Sequence, residues 1–233
     1  FDRVFEIGPV YRAEKHATSR HINEYIGLDF EMGYIDSMYD VMAMETAMLK
    51  YVMDYIRENY ANEIEILEAE VPVINEIPCV TLLEAKEILG NKGSGNKLDL
   101  EPEDEVSICE YAKEEFDSDF IFVTHFPSSK PPFYAMDSKE DPRLAYKFDL
   151  LFRGLEITSG GQRIHDYDEQ VAKMKAQGLN PDDFKYYLEA HKYGLPPHGG
   201  LGIGLERLVM KIINAQNIRT CSMFPRDINR LLP

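Results

Sequence analysis

The chain reads as an α+β protein, an antiparallel β-sheet flanked by helices. Three observations predict this. Apolar and polar residues alternate in strand-like runs near both ends of the chain. Segments with a 3.6-residue apolar period lie between those runs, and the regular strand–helix–strand alternation that builds a parallel sheet is missing. At 233 residues, 44% hydrophobic and 28% charged, the chain suits one large domain that buries roughly 70% of its unfolded surface. Its 41 Asp and Glu outweigh 25 Lys and Arg, for a net charge of −16. Such an acidic field argues against indiscriminate binding to phosphate backbones but leaves room for a local basic site. No apolar run approaches the ~20 residues of a membrane-spanning helix, and the first residues do not form a signal peptide. Cys79, Cys109 and Cys221 lie far apart. That spacing disfavours a disulfide framework or a cysteine zinc site and makes a reducing, cytoplasmic setting the default. The chain opens on Phe1 rather than Met and is in strand-like sequence by residue 4, so a piece of a longer protein is expected.

The elements follow in order. Residues 4–12 read as a strand in which Pro9 marks an edge or a bulge. A polar stretch, 13–23, leads to a second strand over 25–34. Here Ile26, Leu28, Phe30, Met32 and Tyr34 share one face, and Tyr25, Gly27, Asp29, Glu31 and Gly33 the other. In the first strand the same parity groups Arg12 with Val10, Gly8 and Glu6. An antiparallel pair with an apolar back and a polar front would make the floor of a site. Ser37 and Asp40 predict a capping box for a helix running to about Tyr60, and Thr81 with Glu84 predicts another that stops at Gly90. Residues 91–104 read as a loop and 107–116 as a short helix. Strands are expected over 119–125 and 133–136, separated by the turn-prone 127–132. Residues 146–152 and 155–158 form a hairpin through Arg153-Gly154. Residues 166–177 and 182–193 look helical, the second behind Pro181. A glycine-rich strand, 200–204, runs into a helix that ends near Ala215.

Three segments could carry chemistry. With Arg153-Gly154 as a two-residue turn, Leu151 faces Glu156 and Asp149 faces Thr158, so both carboxylates lie on one face of the ribbon. Hard oxygen ligands of this kind suit Mg2+, which takes one or two carboxylates and leaves its other positions to water and substrate phosphate. Ser159-Gly160-Gly161 lets a ligand approach the backbone closely, and Arg163 offers a planar fork for a carboxylate or phosphate. An ordinary exposed strand face accounts for these residues equally well. In the second segment Arg12, Lys15, His16, Arg20 and His21 fall within ten residues of an acidic chain. This local reversal of sign suits a polyphosphate, although a charged hairpin tip is common; two histidines without a third ligand make a weak metal site. The third, Gly200-x-Gly202-x-Gly204-x-Glu206-Arg207, has neither dinucleotide-fingerprint nor P-loop spacing. It supports a flat floor beneath a planar ring with Arg207 aimed at a phosphate, or close helix–strand packing alone. His198, just before the glycines, would lie near a ligand; His125, His165 and His191 read as structural or exposed.

Together these segments resemble the second and third signature motifs of class II aminoacyl-tRNA synthetases, subclass IIb. The second motif is carried by residues 11–14 (YRAE) and the third by residues 202–207 (GIGLER). Residues 5–14 (FEIGPVYRAE), 20–24 (RHINE), 156–163 (EITSGGQR), 193–200 (YGLPPHGG) and 224–226 (FPR) are similar to the archaeal and eukaryotic aspartyl branch of that family. The likeness runs from end to end. It implies that 1–233 is a partial catalytic domain, with the first motif, an anticodon-binding OB domain and a substrate-reading loop upstream. It also implies L-aspartate, ATP, Mg2+ and the acceptor end of tRNA(Asp) as partners, a cytoplasmic homodimer as the full-length form, and no membrane.

Carried over by residue, Arg12 would contact the α-phosphate of ATP. Arg207 would hold the γ-phosphate and cover one face of adenine, with Gly204 beneath and Tyr25 stacked on the other face. Glu14 would hold the adenine amino group or the tRNA end, and His21 would assist the outer phosphates. Asp149, Glu156 and Ser159 would hold Mg2+, with Glu156 also at the nucleotide. Arg163 would bind the side-chain carboxylate of aspartate, and Asp29 its α-amino group. An arginine facing a carboxylate favours aspartate over asparagine, as does the likeness of residues 152–160 to the aspartyl form. Lys130 stands one position earlier than in many relatives, which leaves its role open. The alternatives are an asparaginyl enzyme, one that charges both tRNAs, a tRNA-independent asparagine synthetase paralogue, and a non-catalytic paralogue that binds amino acid or RNA.

Overall fold

Strand alternation at the two ends of the chain is resolved by one seven-stranded sheet that brings those ends together. The computed structural model describes residues 1–15 and 17–232; His16, counted above in the basic loop, lies outside them. In chain order the elements are β1 (Arg3–Tyr11), β2 (Glu24–Gly33), α1 (Met38–Asn59), α2 (Ala61–Ile66), β3 (Cys79–Thr81), α3 (Leu82–Leu89), α4 (Pro102–Phe116), β4 (Phe120–Thr124), β5 (Lys147–Phe152), β6 (Glu156–Arg163), α5 (Tyr167–Ala176), α6 (Lys185–Lys192), β7 (His198–Gly204) and α7 (Leu205–Ile212). The strand order is β1-β2-β7-β6-β5-β4-β3. The glycine strand β7 thus slots between the opening pair and the central hairpin. Pro9 lies in β1, an edge strand, where its missing donor costs no ladder bond.

The faces divide as the alternation predicts. Phe30, Met32, Phe120, Phe122, Phe148, Leu150, Phe152, Leu201 and Ile203 form one core with Met38, Val41, Leu49 and Met53 of α1 and Leu208 of α7. On the opposite face, Ile121, Val123 and Leu151 pack against α3 and α4 through Leu82, Ala85, Ile108 and Ala112. Helices therefore cover the back of the sheet from β2 onward and only one end of its front, while the back of edge strand β1 stays exposed at Phe5 and Ile7; over β1, β2, β7 and β6 the front is open. No helix among the described residues is long and apolar enough to cross a membrane.

Several elements differ from the sequence reading. The sheet is not wholly antiparallel: β3 runs parallel to β4, and at three residues it is too short to alternate visibly. Residues 133–136 form no strand and contribute a single bridge, Ala135 to Arg163, with a second just beyond, Asp137 to Ala145. Pro131 and Pro132 just ahead have no N–H for a ladder. Helix α4 starts at Pro102 rather than near Ser107 because Glu101 caps it and Pro102 suits a first turn. The segment before it is tied down: buried Asp104 accepts from Lys86 Nζ (2.7 Å), the Ser94 amide (2.8 Å) and the Glu101 amide (3.0 Å). Tyr34 leaves the sheet with φ +60°, and residues 181–184 form a 3-10 turn before α6.

The Arg153-Gly154 turn is the one expected. Both residues have positive φ, +46° and +79°, as a type I′ hairpin turn requires, and Phe152 and Leu155 exchange backbone hydrogen bonds across it. Leu151 then faces Glu156, but Leu150 faces Thr158 and Asp149 faces Ser159. One extra residue, Ile157, is accommodated in β6 as a bulge.

Gly160 fills a position where only glycine fits. A Cβ there would sit 2.4 Å from the Phe148 ring and 2.8 Å from Leu201 Cβ, and its φ is not positive, so space alone sets the requirement. Gly160→Ala is expected to lower the unfolding free energy by roughly 1–3 kcal/mol through overpacking, read from the urea midpoint at constant m-value.

Candidate active site

Cross-strand register builds the front face. Glu6 faces Asp29, Asp29 faces Gly202, Gly202 faces Ser159, and Ser159 faces Asp149, a single row across five strands. The neighbouring row runs Glu31, Gly200, Gly161, Lys147. Facing residues share a side of the sheet, so carboxylates from β2 and β5 reach the same surface across glycines of β7. The bulge matters most at Glu156. In a regular strand residues 156 and 159 would point to opposite faces. With Ile157 turned into the back core, Glu156 and Ser159 both reach the front.

The front opens into a hollow of about 800 Å³, lined among others by Arg12, Tyr25, Asp29, Asp149, Glu156, Ser159 and Arg163. An adjoining recess of about 80 Å³ shares Arg12, Tyr25, Glu156 and Ser159 and adds Glu14, His21, Gly204 and Arg207. Each residue to which the resemblance gives a ligand role therefore lines one of two contiguous spaces. His198 does not: it lies at the far end of β7 opposite Arg163, with Nδ1 2.9 Å from the Pro196 carbonyl. Arg20, Glu31, Tyr134 and Lys147 line the same spaces and were given no role from the sequence. Only the spatial register identifies them; Arg20 alone carried a signal, as a member of the basic loop.

The cations here rest against acids or rings. Arg207 donates Nη1 to the Glu156 carbonyl at 2.8 Å and lies 3.5 Å from its carboxylate. Arg163 donates to Glu31 Oε1 at 2.9 Å and stacks over Tyr134 at 4.9 Å. Lys147 pairs with Asp149 and Arg20 with Glu105, and the Arg12 guanidinium lies 5.4 Å from the Tyr25 ring centroid. Thr18 Oγ1 and His21 Nδ1 are 2.6 Å apart. Burial and the nearby Asp149 charge push the Glu156 carboxyl up, against the pull of Arg207 and Lys147. Burial and the facing Glu6 carboxylate raise Asp29. A row of carboxylates held this way is suited to an ammonium group or a metal cation.

Fit to Mg2+ rests on the donor set. Asp149 is buried, and its Oδ1 has no hydrogen-bond partner among the described residues. Glu156 and Ser159 add hard oxygens on the same face. No group of three His, Cys, Asp or Glu among the described residues forms a cage, and Mg2+ commonly fills its shell with water and phosphate oxygens instead.

A seven-stranded, largely antiparallel sheet whose front gathers arginines and acids around a glycine strand defines a catalytic core of the class II synthetase type. The chain belongs to the class II tRNA synthetases (D, K and N), whose family model matches residues 1–228. It is 48% identical over 235 residues to an aspartate–tRNA(Asp/Asn) ligase of Thermus thermophilus, covering all of this chain and 55% of that protein. It is 43% identical to an aspartate–tRNA(Asp) ligase of Pyrococcus abyssi, covering all of this chain and 54% of that protein. Among solved structures, aspartyl-tRNA synthetase from Entamoeba histolytica superposes with TM-score 0.95 at 34% identity, over the whole chain and 49% of that chain. Asparaginyl-tRNA synthetase from Pyrococcus horikoshii, complexed with asparaginyl-adenylate, gives TM-score 0.90 at 31% identity, over the whole chain and 54% of that chain. The chain thus spans about half the length of the curated relatives it matches.

Behind the site, Glu45 of α1 is fully buried, and neither of its carboxylate oxygens has a hydrogen-bond partner among the described residues. Desolvation pushes its carboxyl up to about 8; the Thr158 hydroxyl offsets this, and the Asp149 charge adds to it. A carboxyl raised on folding favours the native state below its unfolded pKa, and that contribution is lost as pH climbs towards the folded pKa. Glu45→Gln is therefore expected to gain stability relative to the wild type between pH about 4.5 and about 8, by a few kcal/mol in order of magnitude, and to level off above. Denaturant titrations across that range check it.

Proposed function

We propose that the protein to which this chain belongs activates L-aspartate with ATP to aspartyl-adenylate and transfers the aspartyl group to the 3′ end of tRNA(Asp). In this reading residues 1–233 are its catalytic domain, with the first motif and an anticodon-binding OB domain upstream, in a cytoplasmic homodimer. The observation that carries the reading is the convergence of Arg12, Arg207 and the Asp149/Glu156 pair on contiguous hollows that also hold Arg163. The aspartate-specific names of relatives at 42–48% identity support the choice of amino acid.

The reaction needs no general base, because the aspartate α-carboxylate is already the nucleophile. One of its oxygens bonds to the α-phosphorus of ATP, the bond to the bridging oxygen breaks, and pyrophosphate leaves with the electron pair. The protein supplies position and charge. Arg12 takes the extra negative charge that develops on the α-phosphoryl oxygens, which makes its contribution greatest in the transition state. Arg207 leaves Glu156 to hold the γ-phosphate and flank adenine, with Tyr25 on the other face, Gly204 beneath, Glu14 at the amino group and His21 at the outer phosphates. Arg163 forks onto the side-chain carboxylate of aspartate. Asp29 takes the α-ammonium, which relieves its repulsion with Glu6. Asp149, Glu156 and Ser159 would hold Mg2+, which when bound neutralises phosphate charge. The names of the relatives at 48% and 46% identity, aspartate–tRNA(Asp/Asn) ligases, favour a second reading in which tRNA(Asn) is charged with aspartate as well.

Aspartate-dependent ATP–pyrophosphate exchange by the full-length protein tests the activity; silence with both aspartate and asparagine would end it. Arg207→Ala should lower the exchange kcat by about 10²–10³, as loss of a transition-state charge partner does; near-normal exchange would remove its phosphate role. Arg163→Leu loses a charge-assisted contact of about 1.5–3 kcal/mol, so the aspartate KM should rise about 10- to 150-fold. Glu156→Gln should shift the Mg2+ titration to higher concentration, and an unchanged curve would take Glu156 out of the metal site.

A further inference from the structure

Glu105 of α4 belongs to no motif, yet it joins two parts of the site that come from distant stretches of chain. It is 7% exposed. Its Oε2 accepts a hydrogen bond from the Glu156 backbone N–H at 3.1 Å and also pairs with the Arg20 guanidinium. Pairing between β6 and β7 begins at Thr158 opposite Ile203, so Glu156 lies beyond the last rung and its N–H has no strand acceptor on that side. A buried amide left this way is costly, and the bulge next to it at Ile157 loosens the ladder further. Side chains take over: Glu105 receives the N–H, and Arg207 donates to the carbonyl at 2.8 Å. The conformation that aims Glu156 at the front therefore hangs on a carboxylate from another element. The same carboxylate holds Arg20 in the wall of the small recess, where Arg20 Nε is buried without a partner among the described residues.

We propose that Glu105 is a positioning residue that sets Glu156 and Arg20 together for the nucleotide. The claim rests on the adenylate-forming reading above for what the two residues do, but not for how they are held. Helix α4 can serve as the anchor because its first turn is fixed by the buried Asp104 network, one residue before Glu105.

The test compares Glu105→Gln, Glu105→Ala and Arg20→Ala in the full-length protein. Glutamine keeps an oxygen for the Glu156 amide and loses the charge that holds Arg20. Glu105→Gln should therefore raise the ATP KM about tenfold, the lower range for an orienting partner, while hydrogen–deuterium exchange of residues 153–160 stays at the wild-type rate. Alanine removes both contacts. Glu105→Ala should speed exchange in 153–160 but not in 198–204, and should raise the Mg2+ half-saturation by about tenfold or more. Arg20→Ala should match Glu105→Gln in ATP KM, and the double variant should be no worse than either alone. Three results would overturn the proposal: an ATP KM for Glu105→Gln within roughly twofold of wild type, additive losses in the double variant, or Glu105→Ala loosening the whole sheet equally. If Glu105→Ala does not fold, the glutamine variant and the double variant decide alone. Wild-type protein without aspartate-dependent exchange would defeat the adenylate reading, while deuterium uptake in 153–160 would still decide on Glu105.

Discussion

One extra residue in β6 governs the chemistry of the front face. Because side chains alternate along a strand, Glu156 and Ser159 can share a face only if the period is broken between them, and the bulge at Ile157 breaks it. It also turns Ile157 into the core that backs the sheet, so apolar burial on one side fixes the orientation of polar groups on the other. The same hydrophobic packing that closes α1 onto the sheet thereby resists slippage of the hairpin, since a one-residue slip would drive Glu156 into the phenylalanine core. Site geometry here is a consequence of core packing.

The acidic balance of the chain takes on a specific meaning at this face. Arg163, Arg207, Arg20 and Lys147 each lie against a carboxylate, Glu31, Glu156, Glu105 and Asp149. A phosphate or carboxylate that engages one of these four must therefore exchange partners with an existing pair rather than meet a bare cation. Such exchange lowers the net affinity for any single anion, because each displaced carboxylate needs a new partner in a partly dehydrated space. A ligand that brings both signs, an ammonium beside a carboxylate or a polyphosphate accompanied by a divalent cation, satisfies both halves of every pair at once. The face therefore discriminates in favour of composite ligands and against simple anions.

The sequence revealed the parts of the fold with a strong period or a strong local signal. The β1–β2 pair, the capped helices α1 and α3 and the Arg153-Gly154 turn all follow from alternation, caps and positive-φ chemistry. What escaped was set at longer range. The three residues of β3 are strand only because β4 lies alongside. The residues at 133–136 look like a strand but follow two prolines and touch β6 through one bridge. Asp104 reads as a loop acid, and becomes a buried hub through Lys86 and Ser94. In the site, residues inside recognisable motifs could be named in advance, whereas Lys147, Glu31 and Glu105 could not. Their importance lies in which residue they face across a strand, and no local window carries that.

The glycine string of β7 shows how a local pattern can admit two readings that geometry then divides. A Cβ at Gly200 would fall 2.3 Å from the Glu31 carboxyl carbon and from the Phe30 carbonyl oxygen, and one at Gly202 would lie 3.0 Å from Asp29 Oδ1. These two glycines are therefore occupied from above by the acids of β2, which must cross β7 to reach Arg163 and the Ser159 row. At Gly204 an added Cβ would meet nothing nearer than the Arg207 side chain at 3.7 Å, so this position alone keeps open space above the strand. A flat floor for a planar ring thus applies at Gly204, next to Arg207, while Gly200 and Gly202 serve the carboxylates. A side chain at Gly200 would separate Glu31 from Arg163 across the strand, and one at Gly202 would crowd Asp29, so the string is as much a passage for charge as a surface for a ligand.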